Sequence, residues 1–330
     1  MARVGMIGAG SWSTALTYEL TSKGQQVEIW SIDPKETELI NTMHEQKVKL
    51  PGVLLPVEVQ ATTDLQKVIR EKDLLVLAVP SAFTRSTARS MAPYVTRGQL
   101  IVSVAKGIEE DTLLRLSEII REEIPQSHVA VLCGPTHAEE VGKGMPTVIV
   151  AGAEDPEDAL YVQDVFMSEV FRVYTSSDVL GMEVGAALKN VVALAAGIAD
   201  GLGYGDNTKA ALITRGIAEI SRLGCAMGGR METFGGLTGI GDLIVTCASM
   251  HSRNRRAGIL IGQGKSPDEA MAQVQQVVEG VYSARAARQL AAKYKVETPI
   301  IEQVCLVLEQ GKSPADAVRD LMLRDKKNEV

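Results

Sequence analysis

The sequence predicts an α/β protein in which a doubly wound, mostly parallel sheet is followed by an all-helical C-terminal domain. Two observations support this prediction. Short apolar runs rich in β-branched residues alternate with amphipathic segments through the first half of the chain, a pattern typical of strand–helix–strand units. Beyond about residue 179 only helical periodicity remains, and we therefore predict domains at 1–180 and 181–330.

The individual elements follow from the spacing of apolar residues. Strands are predicted at 3–7, 27–30, 74–78, 100–104, 129–132, 147–151 and 171–174, and helices between them at 13–22, 35–43, 65–71, 84–91, 113–122 and 156–167. In the second domain, helices are predicted at 181–200, 208–227, 253–263, 266–277, 283–294, 299–309 and 313–322. Pro267, Pro299 and Pro314 stand near three of these helix starts, where proline is tolerated.

Composition excludes several classes of protein. The 330-residue chain has 34 basic against 41 acidic side chains, so a broad nucleic-acid surface is not expected. Its longest apolar stretch, near 191–199, is shorter than the ~18 residues of a membrane span, so stable membrane insertion is not expected either. Cys133, Cys225, Cys247 and Cys305 lie far apart, which predicts reduced thiols and no metal site. The first residues run directly into a strand without a signal peptide, and we expect a cytoplasmic protein.

A glycine loop, Gly8-Ala9-Gly10-Ser11-Trp12, follows the first predicted strand. In a G-x-G-x-x-G loop the first glycine makes a tight turn, the second lets the backbone approach a pyrophosphate, and the third lets the helix pack closely. Here Ser13 replaces the third glycine. A glycine turn without a ligand is the alternative. The position between a strand and a helix start, where free N–H groups favour phosphate, predicts instead that NAD or NADP binds.

Two acidic residues are candidates for binding the adenine-ribose hydroxyls. Asp33 lies 25 residues beyond Gly8, close to the end of the second predicted strand, where such an acid is expected. Glu28 is nearer the usual spacing but lies within the strand. Either side chain is alternatively an ordinary surface charge.

A basic cluster in the second domain follows the glycine-rich segment 235–242. The segment Ser252-Arg253-Asn254-Arg255-Arg256 concentrates arginine in a chain that is acidic overall. Because arginine donates forked hydrogen bonds to phosphate oxygens, this cluster predicts a site for a small anion. A solvated arginine face on a surface helix is the alternative.

Taken together, these segments resemble the bacterial NAD(P)-dependent glycerol-3-phosphate dehydrogenase family. The matching motifs, which occur in order along nearly the whole chain, are Gly8-Ala9-Gly10-Ser11-Trp12, Leu50-Pro51-Gly52, Ala105-Lys106-Gly107-Ile108-Glu109, Gly134-Pro135-Thr136-His137-Ala138-Glu139-Glu140, Leu188-Lys189-Asn190-Val191, Gly203-Tyr204-Gly205-Asp206-Asn207-Thr208-Lys209, Gly239-Ile240-Gly241-Asp242, Ser252-Arg253-Asn254-Arg255-Arg256 and Val278-Glu279-Gly280. The resemblance implies a Rossmann-type domain followed by a helical substrate domain. It also implies reversible hydride transfer between C2 of sn-glycerol 3-phosphate and NAD(P), which forms dihydroxyacetone phosphate, and a supply of glycerol 3-phosphate for phospholipid synthesis.

The resemblance assigns a chemical role to three polar residues. Lys189 is the implied general acid/base, since a buried lysine can exchange a proton near neutral pH. From the sequence alone, this lysine can equally extend to solvent. Asp242 would orient the substrate hydroxyls or pair with Lys189. Lys106, at the carboxyl end of a predicted strand, would help to polarise the carbonyl group.

The resemblance also implies two sets of binding residues. The substrate-binding residues are Lys106, Gly134, Thr136, Lys189, Asp242, Ser252, Arg253 and Asn254. The cofactor-binding residues are Gly8, Gly10, Ser11, Trp12, Asp33, Lys49, Lys106, Ala138, Arg253, Val277 (Val278 in some alignments) and Glu279.

The sequence departs from the family pattern after the second predicted strand. Ile32 and Asp33 stand where the family often has arginine, and Lys49 stands where it often has tyrosine. Because Asp33 would repel the 2′-phosphate of NADP, we expect NADH to be used at least as well as NADPH, with both accepted.

Two other functions remain open from the sequence. One is a related two-domain dehydrogenase of hydroxyacids, of the 6-phosphogluconate or ketopantoate type, and the other is a nicotinamide-sensing regulator. The set formed by Lys106, Lys189, Asp242 and the 252–254 segment favours the glycerol-3-phosphate dehydrogenase. The expected partner is a small phosphorylated substrate, and a homodimer is an alternative that the sequence does not decide.

Overall fold

The computed structural model describes residues 1–329, which form two compact units. The first unit comprises residues 1–109 and 114–183, and the second comprises residues 110–113 and the chain from 184 onward. Helix α8 (Val179–Gly201) contains the boundary between the two units, which lies between Glu183 and Val184. The domain limits 1–180 and 181–330 therefore stay a prediction.

The first unit is built on an eight-stranded sheet of order β3-β2-β1-β4-β5-β6-β7-β8. The strands are β1 (Arg3–Ile7), β2 (Gln26–Trp30), β3 (Gln60–Thr62), β4 (Leu74–Leu77), β5 (Leu100–Ser103), β6 (His128–Cys133), β7 (Thr147–Ala153) and β8 (Phe171–Ser176). All neighbouring strands are parallel except β6 and β7, which are antiparallel. The predicted fold class, a doubly wound and mostly parallel sheet followed by helices, is confirmed.

Helices cover both faces of this sheet because its strands are apolar on both faces. In β4, Leu74 and Val76 belong to one buried cluster, whereas Leu75 and Leu77 belong to another. The helices are α1 (Ser11–Ser22), α2 (Pro34–Met43), α3 (Leu65–Ile69), α4 (Thr84–Met91), α5 (Leu116–Glu123), α6 (Ala138–Val141) and α7 (Pro156–Phe166), with a 3₁₀ turn at Ser81–Phe83. Strands buried on both faces read as continuous apolar runs, which made them recognisable in the sequence.

Several predicted boundaries in this unit were wrong. Strand β3 was missed because it is a three-residue edge strand of largely polar sequence. The predicted helix 113–122 starts only at Leu116, since Leu113 has a left-handed backbone with φ 61°. The predicted helix 65–71 ends at Ile69, and Glu71 has φ 58°.

The described residues of the second unit form helices joined by turns and loops. Its helices are the greater part of α8, then α9 (Asp206–Ala226), α10 (Met231–Phe234), α11 (Asp242–Ala248), α12 (Arg253–Gly262), α13 (Pro267–Val274), α14 (Glu279–Tyr294), α15 (Pro299–Gln310) and α16 (Pro314–Met322), with a π-helical turn at Leu237–Gly241. The sequence did not predict α10, the π turn or α11, because the two short helices flank the glycines of 235–241 and glycine is a poor helix former. The predicted helix 266–277 ends at Val274, before Gln275 at φ 58°, and the predicted helix 283–294 begins four residues earlier, at Glu279.

Helix α8 is the central helix of this part of the chain. It has 23 residues and is long and apolar enough to cross a membrane, although 89% of its most apolar 18-residue window is buried inside the protein. The predicted apolar stretch 191–199 lies within this helix, whose charged residues are Glu183, Lys189 and Asp200. A bent pair, Met231–Ala248 with Arg253–Gly262, passes the same test if taken as one span. The buried core helix of a soluble protein passes the same test.

Glycines bring α8 and α12 into close contact. A Cβ on Gly197 of α8 would overlap the carbonyl oxygen of Arg255, and a Cβ on Gly258 of α12 would overlap that of Leu194. Only glycine allows this approach of two helix backbones. The close packing brings the start of α12, which carries the basic cluster, against α8.

Candidate functional site

The glycine loop connects β1 to the start of α1. Gly8 has φ +121°, and a Cβ there would lie 2.9 Å from the carbonyl oxygen of Ala78, so this position requires glycine. Gly10 is the N-cap of α1, and among the described residues no atom lies within 4 Å of where its Cβ would be. The helix start has no acidic side chain and no side-chain cap. The first N–H groups of α1 have no acceptor within the helix and can bind an anion.

Ser13 stands at the position of the third glycine of the loop motif. Ser13 is fully buried, and its hydroxyl donates to the carbonyl oxygen of Gly10 at 2.9 Å. Thr14 donates to the same oxygen at 2.8 Å. Both hydroxyls turn back onto the helix, so neither interferes with a phosphate.

Asp33 lies just after β2 and serves as the N-cap of α2. Its carboxylate accepts the N–H of Lys35 at 2.9 Å. Nearby, Glu36 accepts the hydroxyl of Ser31 at 2.7 Å and forms an ion pair with Lys49. The sequence did not reveal that Lys49 has an acidic neighbour, so this end of β2 carries two carboxylates and one paired cation.

Glu28, the alternative acid, lies within β2. It forms ion pairs with Lys67 at 3.2 Å and Lys72 at 2.7 Å. These two ion pairs compensate the negative charge of the Glu28 carboxylate.

Lys106 and Gly134 lie at the carboxyl ends of the neighbouring strands β5 and β6. The ammonium of Lys106 donates to the carbonyl oxygen of Gly134 at 2.9 Å, and the hydroxyl of Thr136 donates to the same oxygen at 3.2 Å. Ala138 begins α6 and is buried. The carboxyl ends of parallel strands are where ligands of doubly wound sheets bind, so these residues lie at the expected edge.

A buried ion pair joins Lys189 of α8 to Asp242 of α11. The Nζ atom lies 2.7 Å from the Asp242 carboxylate and 2.5 Å from the Thr246 hydroxyl, and the two charged residues are 5% and 1% exposed. Burial disfavours charge on the lysine, whereas the carboxylate at this distance favours it. Of the two roles left open for Asp242, the structure shows the pairing with Lys189.

Thr246 was missed by the sequence analysis. It stands four residues after Asp242 in α11, and its hydroxyl donates to the Asp242 carbonyl oxygen at 2.6 Å. Residues four apart lie on the same face of a helix, so the sequence would have indicated Thr246 if α11 had been predicted. The π turn before α11 ends at Gly241, which sets the face that Asp242 presents.

The side chain of Asn254 holds three helices together. Its Nδ2 donates to Asn190 Oδ1 at 2.9 Å, and its Oδ1 accepts the N–H of Gly280 at 2.8 Å. A Cβ on Gly280 would lie 2.6 Å from the carbonyl oxygen of Asn190. Asn254 and Asn190 thus link the segment of Lys189 to the segment of Arg253.

The start of α12 concentrates positive charge. Ser252 is its N-cap and accepts the N–H of Arg255 at 3.2 Å, while Arg255 pairs with Asp200 at 2.7 Å. Arg253 begins the helix, and its first turn has no acidic residue. Cations at a helix N-terminus oppose the helix dipole, so this arrangement favours binding of an anion.

The remaining predicted residues lie near the start of α14 or elsewhere. Val277 is partly buried, Val278 is the N-cap of α14 with 1% exposure, and Glu279 is the first residue of that helix. Trp12 packs against the core of the first unit.

Within residues 1–329 no group of three His, Cys, Asp or Glu side chains is arranged to hold a metal ion. Burial raises the pKa of the Cys247 thiol to about 12, which keeps it protonated.

The chain is similar to known proteins along most of its length. Residues 3–159 match the family model described as NAD-dependent glycerol-3-phosphate dehydrogenase N-terminus, and residues 178–319 match the C-terminus model of the same name. Glycerol-3-phosphate dehydrogenase (NAD(P)+) of Agathobacter rectalis is 63% identical over 329 residues, covering 100% of this chain and 98% of that protein.

Solved structures give the same likeness. The glycerol-3-phosphate dehydrogenase of Coxiella burnetii has a TM-score of 0.94 and 34% identity, covering 98% of this chain and 99% of that one. A PanE/ApbA family ketopantoate reductase of Ralstonia eutropha has a TM-score of 0.63 at 18% identity, covering 96% of this chain and 99% of that one. The second likeness shows the fold alone.

Proposed function

Because the chain belongs to the NAD-dependent glycerol-3-phosphate dehydrogenase family, we propose that it interconverts sn-glycerol 3-phosphate and dihydroxyacetone phosphate with NAD or NADP. The observation that supports this function best is the buried Lys189–Asp242 pair, linked through Asn190 and Asn254 to the arginine-bearing start of α12. A proton donor and a phosphate-binding group are what this substrate requires.

Lys189 is the general acid/base of the proposed reaction. The nicotinamide, when bound, supplies or accepts the hydride at C2. In the reducing direction Lys189 donates a proton to the carbonyl oxygen of the substrate as that oxygen becomes a hydroxyl, and in the oxidising direction the amine accepts it. Asp242 and Thr246 hold the Nζ atom in place through bonds of 2.7 and 2.5 Å.

Arg253 binds the substrate phosphate in this proposal, together with the start of α12. Arg253 is the first residue of α12, at the positive end of the helix dipole, and its guanidinium can make a forked contact with phosphate oxygens. Ser252 and Asn254 are the other proposed phosphate contacts of this segment. The Ser252 side chain already caps α12 and the Asn254 side chain already joins α8 to α14, so each binds the phosphate through its remaining hydrogen-bond donor. Lys106, Gly134 and Thr136 contact the substrate from the first unit's strand ends.

The remaining assignments concern the cofactor. Gly8, Gly10, Ser11 and Trp12 form the pyrophosphate loop, Asp33 binds the adenine ribose and Lys49 lies nearby. Lys106, Ala138, Arg253, Val277 and Glu279 are the other proposed cofactor contacts. We also propose a cytoplasmic enzyme that supplies glycerol 3-phosphate for phospholipid synthesis and forms a homodimer, which light scattering of the purified protein tests.

The deciding experiment is a spectroscopic assay with purified protein. Oxidation of NADH and NADPH is followed with dihydroxyacetone phosphate, ketopantoate and unphosphorylated dihydroxyacetone in parallel. We expect turnover with dihydroxyacetone phosphate and little with the other two. Faster turnover with ketopantoate would overturn the proposal, and cofactor binding without turnover of any substrate would favour a nicotinamide-sensing regulator.

A further inference from the structure

The side chain of Gln46 lies directly against the glycine loop. Gln46 belongs to the connection between α2 and β3, and it is fully buried with 0% exposure. Its Nε2 donates a hydrogen bond to the carbonyl oxygen of Ala9 at 2.8 Å. Ala9 stands between Gly8 and Gly10, so this bond reaches the centre of the loop.

The segment that carries Gln46 is held at several points. The N–H of Leu55 donates to the His44 carbonyl oxygen at 2.7 Å, and the N–H of Gly52 donates to the Glu45 carboxylate at 2.7 Å. Leu50 and Leu55 are buried in the same apolar cluster as Ala9. The position of the Gln46 amide is therefore fixed by its own segment and does not depend on a ligand.

A buried glutamine at position 46 lowers the stability of the protein if its only role is packing. Its Oε1 atom is buried and has no hydrogen-bond partner among residues 1–329. A buried acceptor without a partner destabilises a protein, and an aliphatic side chain of similar size would avoid this cost. The bond from Nε2 to the loop is the one favourable polar interaction that the amide makes there.

That bond fixes the orientation of a whole peptide group. The Ala9 carbonyl and the Gly10 N–H belong to one planar trans peptide, so they point in opposite directions. When the carbonyl oxygen is held by Gln46 on the buried side, the N–H of Gly10 is directed to the other side, where the space around Gly10 is open.

We propose that Gln46 is a positioning residue for the cofactor pyrophosphate. It acts through the Ala9–Gly10 peptide and touches no ligand itself. The inference rests on the proposed function, since it assumes that the glycine loop binds NAD(P). Every ligand with a pyrophosphate uses the loop in the same way. Loss of the Gln46 side chain therefore lowers the affinity of the protein for NADH, NADPH and ADP-ribose by the same factor.

The test compares two substitutions of Gln46 with a matched control. Gln46→Met keeps the volume and removes the donor, and Gln46→Asn keeps an amide that is one methylene too short to reach Ala9. The control is Gln99→Met, because Gln99 is also buried and donates to the carbonyl oxygens of Ile69 and Lys72 at 2.9 and 3.0 Å. Gln99 precedes β5, at the opposite end of the strands from the glycine loop.

Dissociation constants of NADH, NADPH and ADP-ribose, kcat at saturating cofactor and thermal stability are measured for each protein. We expect both Gln46 variants to bind the three ligands about 2- to 12-fold more weakly, as for one lost hydrogen bond, with kcat within about twofold of the native value. Gln99→Met loses more hydrogen bonds, so we expect a larger loss of thermal stability with unchanged ligand binding.

Three outcomes would overturn the proposal. Gln46 variants that bind NADH as tightly as Gln99→Met would show that the amide is only structural. A change in the NADH to NADPH ratio would show that Gln46 acts on the ribose. If the native protein binds no NADH at all, the proposed function fails as well, which distinguishes that failure from the first two. Should Gln46→Met not fold, the milder Gln46→Asn decides.

Discussion

The two units of this protein build binding groups in contrasting ways. In the first unit, the groups proposed to bind the ligands are mainly backbone atoms and half-buried side chains near the carboxyl ends of parallel strands. In the second unit, the groups proposed for the proton transfer are buried side chains on helices, Lys189 and Asp242, which are 5% and 1% exposed. A strand ends in a loop whose N–H groups are available, whereas the interior of a helix uses its own N–H groups and can offer only side chains.

Three exposed helix-start carboxylates of the first unit contrast with a buried one of the second, although Glu183 of the first unit is also buried where it accepts the N–H of Ser117. In the first unit, Asp33, Asp64 and Asp155 are exposed N-caps that accept an N–H of their own helix. In the second unit, Glu219 reaches from α9 to accept the N–H groups of Ile300 and Ile301 at the start of α15, and it is 2% exposed. Substitutions in the second unit should therefore have the larger effects, and four experiments test this expectation.

The largest effect is expected for Lys189→Ala. Loss of the acid/base should lower kcat roughly 10²–10⁴-fold while NADH still binds. Steady-state kinetics and NADH titration measure the two effects. The substitution also leaves Asp242 as an unpaired buried charge, so the double variant Lys189→Ala/Asp242→Asn serves as the control for folding. Near-normal turnover by either folded variant would remove Lys189 from the mechanism.

The second effect concerns the pH dependence of stability. Burial raises the pKa of Glu219 from 4.5 to about 7, against the lowering effect of the N–H groups of Ile300 and Ile301. A raised carboxyl pKa means that the stability contribution is fully present below about pH 4.5 and is lost as the pH rises through about 7. The loss is on the order of 3 kcal/mol at about 1.4 kcal/mol per pH unit.

Thermal unfolding of native protein and Glu219→Gln at pH 5 and pH 8 tests this prediction. The glutamine cannot ionise, so its stability should fall less than that of the native protein between the two values. Asp155→Asn is the matched control from the first unit, because Asp155 is an exposed cap. An equal fall in stability for native protein and Glu219→Gln would contradict the prediction.

A third effect is expected at the start of α12. Arg253→Ala should weaken binding of dihydroxyacetone phosphate by about 1.5–3 kcal/mol, the worth of one hydrogen bond to a charged group. Unphosphorylated dihydroxyacetone should be affected much less. KM values for the two substrates are compared, with Arg253→Lys as the control that keeps the charge but not the fork. Equal losses for both substrates would show that Arg253 does not bind the phosphate.

The smallest effect is expected at the end of β2. A charge facing a phosphate across partly solvated space is worth about 1 kcal/mol, so native protein should use NADH at least as well as NADPH while accepting both. Asp33→Arg should shift kcat/KM toward NADPH. Because Asp33 caps α2, Asp33→Asn is the control that keeps the cap and removes the charge.

Two results would decide the role of Asp33 in cofactor choice. A shift toward NADPH in both variants would show that the charge sets the preference. A strong native preference for NADPH that neither substitution changes would mean that Asp33 does not face the ribose. Glu36→Gln, which releases Lys49 from its ion pair, should add to the shift if the lysine then reaches the 2′-phosphate.

Much of the fold was predictable because its signals are local. β1 was predicted with its observed bounds, Arg3–Ile7, and α4 with its bounds, Thr84–Met91. Apolar runs and their spacing report burial along a single segment. The errors arose where distant contacts override local preference: β3 is a strand because it pairs with β2, and the segment of α10, the π turn and α11 is helical despite its glycines.

For the site, the sequence alone determined the glycine loop after β1, the basic segment 252–256 and the family resemblance, because these depend on which residues stand next to one another in the chain. Only the tertiary structure decided that Lys189 pairs with Asp242, that Asn254 joins three helices, and that Gln46 holds Ala9. These contacts join residues far apart in the sequence. Hydrogen bonds act over about 3 Å, so their partners are set by how the segments pack and leave no trace in the spacing of the residues.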